Sequence, residues 1–185
     1  MKEKLQRIQV DETHNLSYGL YGNPKGQTIL FLHGGPGLGV KLSDLEFFDL
    51  KKHNVILIDQ RGSGKSTPKG DLKSNTTAKI IEDLEKIVKE TKSKNIFLFG
   101  GSWGSTLSLL FAIKNPHKVK GMILRGLFTA TKEERKHFED GGTAFKFPDE
   151  WSRFKSFVPD KFADSPSTYY FKTILTGSKE EQDQL

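Results

Sequence analysis

Gly100-Gly101-Ser102-Trp103-Gly104 puts a serine at the centre of a G-x-S-x-G pentapeptide. An apolar run, Ile96–Phe99, precedes it and a helical pattern, Ser105–Lys114, follows. In that context a sharp strand-to-helix turn lifts the hydroxyl above the end of a sheet, where it can act as a nucleophile. Glycines at 100 and 104 leave space where a side chain would collide with the turn. The chemistry is acyl transfer: Ser102 attacks a carbonyl carbon and the carbonyl oxygen becomes an oxyanion. Such an oxyanion needs pre-aimed N–H donors, each worth roughly 2.7–4 kcal/mol. One is the amide of the residue after the nucleophile, Trp103; the other comes from the loop after an earlier strand. His33-Gly34-Gly35-Pro36-Gly37 stands there, after the apolar run Thr28–Leu32. Gly35 is assigned as the second donor, with Gly34 as the fallback. His33 precedes those donors and is expected to hold its loop by a hydrogen bond rather than to serve as a base.

Other chemistry-bearing residues point elsewhere. Gly64-Lys65-Ser66 resembles the end of a phosphate-binding loop, but the full pattern needs a glycine five residues before Gly64, where Asp59 stands. No nucleotide site follows; Asp59 and Arg61 are expected to brace a strand-end loop. The five histidines, at 14, 33, 53, 117 and 137, show no metal-ligand spacing. With no cysteine in the chain, disulfides, thiolate metal sites and a cysteine nucleophile are excluded.

The elements that position these residues alternate. Leu5–Val10 and Leu16–Tyr21 are expected strands, divided from the next by the turn cluster Gly22–Gly26. Thr28–Leu32, Val55–Ile58, Ile96–Phe99 and Met122–Leu124 are short continuous apolar runs, the pattern of strands covered on both faces. Leu42–Lys51 has helical spacing. Thr76–Thr91 is the clearest helix: Ile80, Ile81, Leu84, Ile87 and Val88 form one stripe, and Asn75 or Thr76 can cap it. Strand and helix in alternation predict a mostly parallel α/β sheet with helices on both faces. Binding sites in such sheets lie at the carboxyl ends of strands, where the glycine-rich motifs fall. After Leu127 the texture changes. Thr131–Glu139 is a charged helix, Gly141–Lys172 is rich in aromatic residues and proline without clean periodicity, and Thr173–Leu185 opens another helical stretch. The expected division is 1–128 and 129–185.

At 185 residues the chain can bury about 70% of its unfolded surface in one domain or one and a fraction. The net charge is +6 (29 minus 23). The lysines are scattered, many beside an acid, as in Lys79/Glu82 and Lys86/Glu90. That is a solvated lysine-rich surface, and neither nucleic acid nor membrane is expected as a partner. No apolar run approaches the ~18 residues of a membrane helix. The N-terminal Met-Lys-Glu-Lys-Leu-Gln-Arg lacks an apolar signal core, so the expected location is cytoplasmic.

Three signatures lie in order at the ends of successive runs: His33–Gly37, Asp59-Gln60-Arg61-Gly62-Ser63-Gly64-Lys65-Ser66, and Gly100–Ser105. Together with Leu124–Phe128 they resemble the proline iminopeptidases, serine peptidases of the α/β-hydrolase fold, from about Leu16 to the C-terminus. The Asp-Gln-Arg-Gly stretch and the Gly-Gly-Ser-Trp-Gly-Ser elbow are together far more specific than G-x-S-x-G alone. Ser63 and Lys65 depart from the cysteine and arginine that many relatives carry. The resemblance implies release of an N-terminal proline from peptides, with Ser102 as nucleophile, Gly35 and Trp103 amides at the oxyanion, and no cofactor. Trp151–Phe171 resembles the start of that family's helical cap. In this fold the triad runs serine, acid, histidine along the chain. Only 83 residues follow Ser102 (185 minus 102), and neither His117 nor His137 resembles the family's catalytic histidine. The resemblance therefore implies a chain that stops before the last strands, without the triad aspartate and histidine and without the acidic cap residues that anchor the substrate's amino group. Met122–Leu124 would then be an open apolar edge. A complementing C-terminal polypeptide is the expected partner. The alternatives are a non-catalytic remnant or binding module on the same scaffold, or an esterase-type hydrolase.

Overall fold

The computed structural model describes residues 5–139 and 142–183. Met1–Lys4 of the N-terminal stretch, Gly141, and the last two residues of the expected Thr173–Leu185 helix lie outside them. The chain forms two compact units, Met1–Phe128 and Thr129–Leu185.

The first unit is built on a six-stranded sheet: β1 (Gln6–Gln9), β2 (Asn15–Gly22), β3 (Gln27–Leu32), β4 (His53–Ile58), β5 (Ile96–Gly101) and β6 (Val119–Arg125), in the order β1-β2-β4-β3-β5-β6. β1–β2 and β2–β4 are antiparallel, whereas β4–β3, β3–β5 and β5–β6 are parallel. Chain order reverses at β3, because β4 lies on one side of it and β5 on the other. A crevice opens at the carboxyl ends of strands at such a reversal.

The apolar runs of β3, β4 and β5 are continuous because alternate residues serve two cores. The run Met122–Leu124 in β6, expected to be covered on both faces, is not: β6 stands last in the strand order, and Met122 and Ile123 are exposed. Leu30, Leu32, Ile56, Ile58, Ile96 and Leu98 pack with the stripe of α1 (Thr77–Glu90) and with Leu107 and Phe111 of α2 (Trp103–Lys114). Ile29, Phe31, Val55, Leu57 and Phe99 pack on the opposite face with Leu45, Phe48 and Leu50. The expected helix over 42–51 is instead a short 3-10 turn, Leu42–Phe47. Its aromatic residues explain the substitution: Phe48 meets Phe31 and Phe99 edge-on, at 6.2 and 5.1 Å, and these ring contacts hold a segment too short for an α-helix. α1 is capped as the sequence predicts, Thr76 Oγ1 accepting from the Lys79 amide at 3.3 Å.

The second unit holds α3 (Lys132–Glu139), α4 (Gly142–Lys146), α5 (Pro148–Ser156), α6 (Pro166–Thr176) and α7 (Lys179–Asp183). The tract without clean periodicity thus contains short helices, two of them starting at a proline, where a missing N–H costs nothing. Local stacking replaces a helical stripe as the organising contact. The Phe154 and Tyr170 rings stack 4.3 Å apart, and Tyr170 Oη donates to the Phe154 carbonyl at 2.6 Å. No helix among the described residues is long and apolar enough to cross a membrane.

Candidate active site

Ser102 sits between the end of β5 and the first residue of α2. Its backbone has φ 53° and ψ −118°, a conformation costly for any residue with a Cβ. A serine before a helix ordinarily bonds its hydroxyl to an amide of the first turn. Ser102 makes no such side-chain cap bond and its side chain is exposed, so the hydroxyl is left for other work. Ser105 binds the turn instead: its amide and its hydroxyl both donate to the Ser102 carbonyl, at 2.8 and 2.6 Å. The Phe128 amide donates to Ser105 Oγ at 3.0 Å, which ties the chain leaving β6 to the same turn. The N-terminus of α2, with its unpaired amides and partial positive charge, lies beside the hydroxyl.

Close backbone approach makes the flanking glycines obligatory. A Cβ on Gly100 would overlap the Gly104 carbonyl and come within 2.5 Å of Ser108 Oγ. One on Gly104 would overlap the Leu32 carbonyl oxygen. The elbow is therefore pressed against the end of β3, where the His33–Gly37 loop begins. Gly34 comes nearest to the serine: a Cβ there would lie 3.0 Å from the Gly101 carbonyl and 3.4 Å from Ser102 Cβ.

Ser102, His33 and Gly34 line a cavity of about 530 Å³ whose walls mix the rings of Phe31, Phe47 and Phe99 with the charged side chains Lys41, Asp44 and Arg125. Arg125, at the end of β6, stacks its guanidinium over the Phe47 ring at 4.6 Å. Gly35 and Trp103 do not line this cavity by their own atoms, but each is bonded in sequence to a residue that does.

His33 is almost fully buried. Its Nδ1 is 2.9 Å from the Gly34 carbonyl, and its Nε2 accepts from the Gln60 amide at 3.1 Å and lies 3.1 Å from Ser63 Oγ. An acceptor at Nε2 leaves the ring proton on Nδ1, which donates to Gly34. Burial pushes the imidazole below its ordinary range, against the opposing pull of the Gly34 carbonyl and the Asp59 and Asp44 carboxylates. A neutral ring with both nitrogens engaged is a loop brace, as its position in the sequence suggests.

Asp59 and Arg61 brace as well. The Asp59 carboxylate accepts from the Val40 amide at 2.8 Å and the Lys65 amide at 2.9 Å. Within Gly64-Lys65-Ser66 the Lys65 amide thus faces an internal carboxylate instead of a phosphate, and the Ser66 amide donates to the Ser63 carbonyl at 3.0 Å. Arg61 makes a two-pronged pair with Asp83 (2.5 and 2.8 Å) and reaches Asp11 at 2.5 Å. Asp83 keeps the guanidinium firmly protonated by direct hydrogen bonding, outweighing the cost of burial.

Gln60 was legible only as part of the Asp-Gln-Arg-Gly string; its contacts were not. Its side chain is buried, its Nε2 donates to the His33 carbonyl at 2.9 Å, and its Oε1 accepts from the Trp103 indole at 3.2 Å. Of the later histidines, His117 is exposed in the turn Pro116–Lys118, past the far end of α2, and His137 is exposed on α3 in the second unit. Twelve helical residues put His117 about 18 Å along α2 from the serine. Among the described residues no group of three or more His, Cys, Asp or Glu side chains is arranged to hold a metal ion.

The chain is 42% identical over 153 residues to a proline iminopeptidase of Arabidopsis thaliana, covering 83% of this chain and 40% of that protein. It is 40% identical over 150 residues to a proline iminopeptidase of Xylella fastidiosa (strain 9a5c), covering 81% and 48%. The chain thus spans about half or less of the length of these relatives. Among solved structures it is similar to a proline iminopeptidase-related protein of Thermus thermophilus, with a TM-score of 0.58 and 28% identity over 67% of this chain and 44% of that one. The family model described as the alpha/beta hydrolase fold matches residues 27–170, from the first residue of β3 into α6. With its strand-to-helix serine, its crevice at the β3 reversal and that match over most of its length, the chain belongs to the α/β-hydrolase family.

Proposed function

We propose that this chain carries the nucleophile and oxyanion-binding part of a serine aminopeptidase that releases N-terminal proline from peptides. The observation that carries the proposal is Ser102: a strained backbone, an exposed side chain not spent on a cap, and a cavity beside Gly34 that Phe31, Phe47 and Phe99 help to line. Ser102 Oγ attacks the carbonyl carbon of the prolyl residue. The carbonyl π electrons pass to oxygen, and the resulting charge is met by the Trp103 amide and by Gly35 or its neighbour Gly34. The leaving amine takes a proton and departs, and water then hydrolyses the acyl-serine. Phe31, Phe47 and Phe99 suit the apolar face of a pyrrolidine ring. The names of the relatives support the choice of substrate.

The proton of Ser102 needs an acceptor. His33, which lines the cavity, has both ring nitrogens engaged. We assign the base and its acid partner to polypeptide outside residues 1–185, in line with the share of its relatives that this chain covers. Without a triad member an active site of this type retains about 10³–10⁴-fold acceleration over water.

The test is turnover of a chromogenic proline anilide, with Ser102→Ala as the control, beside fluorophosphonate labelling of Ser102. The expected result is slow labelling and no turnover above the control for the chain alone. Both should rise when the acid- and histidine-bearing half of a proline iminopeptidase is supplied. Rapid stoichiometric labelling of the chain alone would place a base within it. Ester hydrolysis without prolyl turnover would favour an esterase. No labelling in either arm would leave a non-catalytic scaffold.

A further inference from the structure

We propose that Gln60 is the positioning residue of the oxyanion-binding amides: one buried side chain sets the direction and spacing of the two backbone segments that carry them. The proposal rests on the assignment of Ser102 as nucleophile.

The argument is one of peptide planes. In a trans peptide the carbonyl and the N–H point in opposite directions. The His33 carbonyl and the Gly34 N–H belong to one such plane, and Gln60 Nε2 grips that carbonyl at 2.9 Å. The Gly34 carbonyl and the Gly35 N–H belong to the next, and His33 Nδ1–H grips that carbonyl at 2.9 Å. The His33 ring is itself held by the Gln60 amide on Nε2. Gln60 therefore orients Gly34 N–H directly and Gly35 N–H through His33.

The other end of the same side chain, Oε1, accepts from the indole of Trp103, whose backbone amide is the remaining donor. One planar amide group thus spans from the β3 loop to the elbow. Its own backbone is anchored in turn, since Ser63 Oγ donates to the Gln60 carbonyl at 2.8 Å. Donors that are already aimed need no reorganisation as charge develops, and that is the source of their effect on rate. A glycine-rich loop has little stiffness of its own, so the fixing must come from such a bracket.

The bracket is read by NMR and the chemistry by labelling, on the full chain. The chain has two tryptophans, so Trp103→Phe assigns the Trp103 indole N–H resonance. The expected result is an indole proton protected from exchange in the parent. In Gln60→Ala and in Gln60→Met, which keeps the length and loses both polar ends, exchange should accelerate at least tenfold. The fluorophosphonate rate constant of Ser102, normalised to the folded fraction, should fall at least tenfold in both variants. A lower denaturation midpoint with an unchanged rate per folded molecule would show a purely structural glutamine and overturn the proposal. An indole that exchanges as freely in the parent as in the variants would overturn it regardless of labelling. A protected indole in a parent that does not label above Ser102→Ala would remove the nucleophile assignment, and the proposal with it.

Discussion

Gly104 lies against the carbonyl oxygen of Leu32 with no space for a β-carbon, so the first turn of α2 rests directly on the end of β3. That contact brings the serine of one strand end to the glycine loop of another. Gly104→Ala should therefore cost about 3 kcal/mol or more, since the obstacle is backbone and cannot swing aside. Gly101→Ala, whose new methyl would meet the Arg125 carbonyl at 3.9 Å, should stay within about 0.5 kcal/mol. Urea denaturation of the two variants checks the contrast; equal losses would show that the elbow does not press on β3.

Strain at Ser102 predicts a trade of stability against reactivity. Ser102→Gly removes the Cβ from a backbone at φ 53° and should raise stability by about 1 kcal/mol, while Ser102→Ala keeps the strain and should not. Both abolish fluorophosphonate labelling. Denaturation midpoints that do not differ between the two would mean the turn is relaxed in solution.

Arg61 and Asp83 are both buried, at 1% and 2% side-chain exposure. Asp83→Ala leaves an under-compensated guanidinium inside the protein and should cost about 3–5 kcal/mol. Replacing both partners, Arg61→Met with Asp83→Leu, should recover most of that loss. A double-mutant cycle in urea measures it, and a double variant as unstable as the single one would contradict the desolvation argument.

His33 predicts sensitivity to acid. Burial lowers its folded-state pKa, so below its unfolded value, about 6.5, the unfolded chain binds the proton more readily. Stability from the neutral ring is present above that value and is lost as pH falls through it toward the lower folded value. Asp11 acts lower down: burial raises its carboxyl, but the His14 and Thr13 amides and the Arg61 guanidinium outweigh that and hold it well below the usual range. Its contribution is full above about 4 and fades at more acid pH. The urea midpoint measured from pH 8 to pH 5 should fall, and His33→Asn should flatten the profile between pH 7 and 5. A parent profile flat in that range would refute the claim.

β6 ends the sheet order, with Met122 39% and Ile123 56% exposed. An open apolar edge is a site of association. Ile123→Lys should reduce concentration-dependent light scattering at unchanged thermal stability; scattering equal to the parent's would place the sticky surface elsewhere.

Much of this was legible in the sequence. β3, β4 and β5 announce themselves as apolar runs because both faces of each are buried, whereas the run in β6 has Met122 and Ile123 exposed; α1 is marked by a stripe at helical spacing with a threonine before it. The elbow was legible because glycines 100 and 104 have a steric reason to be glycine that no neighbouring sequence can replace. The segment 42–51 misled: its apolar spacing suits a helix, yet three phenylalanines from different elements, Phe31, Phe48 and Phe99, decide its form by ring contacts that spacing cannot encode.

What the sequence by itself determined was local: which runs are strands, where the chain must turn, and which serine stands at a turn. Those follow from periodicity and from the backbone freedom of glycine, properties of neighbours along the chain. The tertiary structure alone decided that Gln60, 27 positions from His33 and 43 from Trp103, joins both, and that Arg61 finds Asp11 and Asp83. Hydrogen bonds between distant segments depend on strand order and loop path. A single sequence leaves both open until packing closes them.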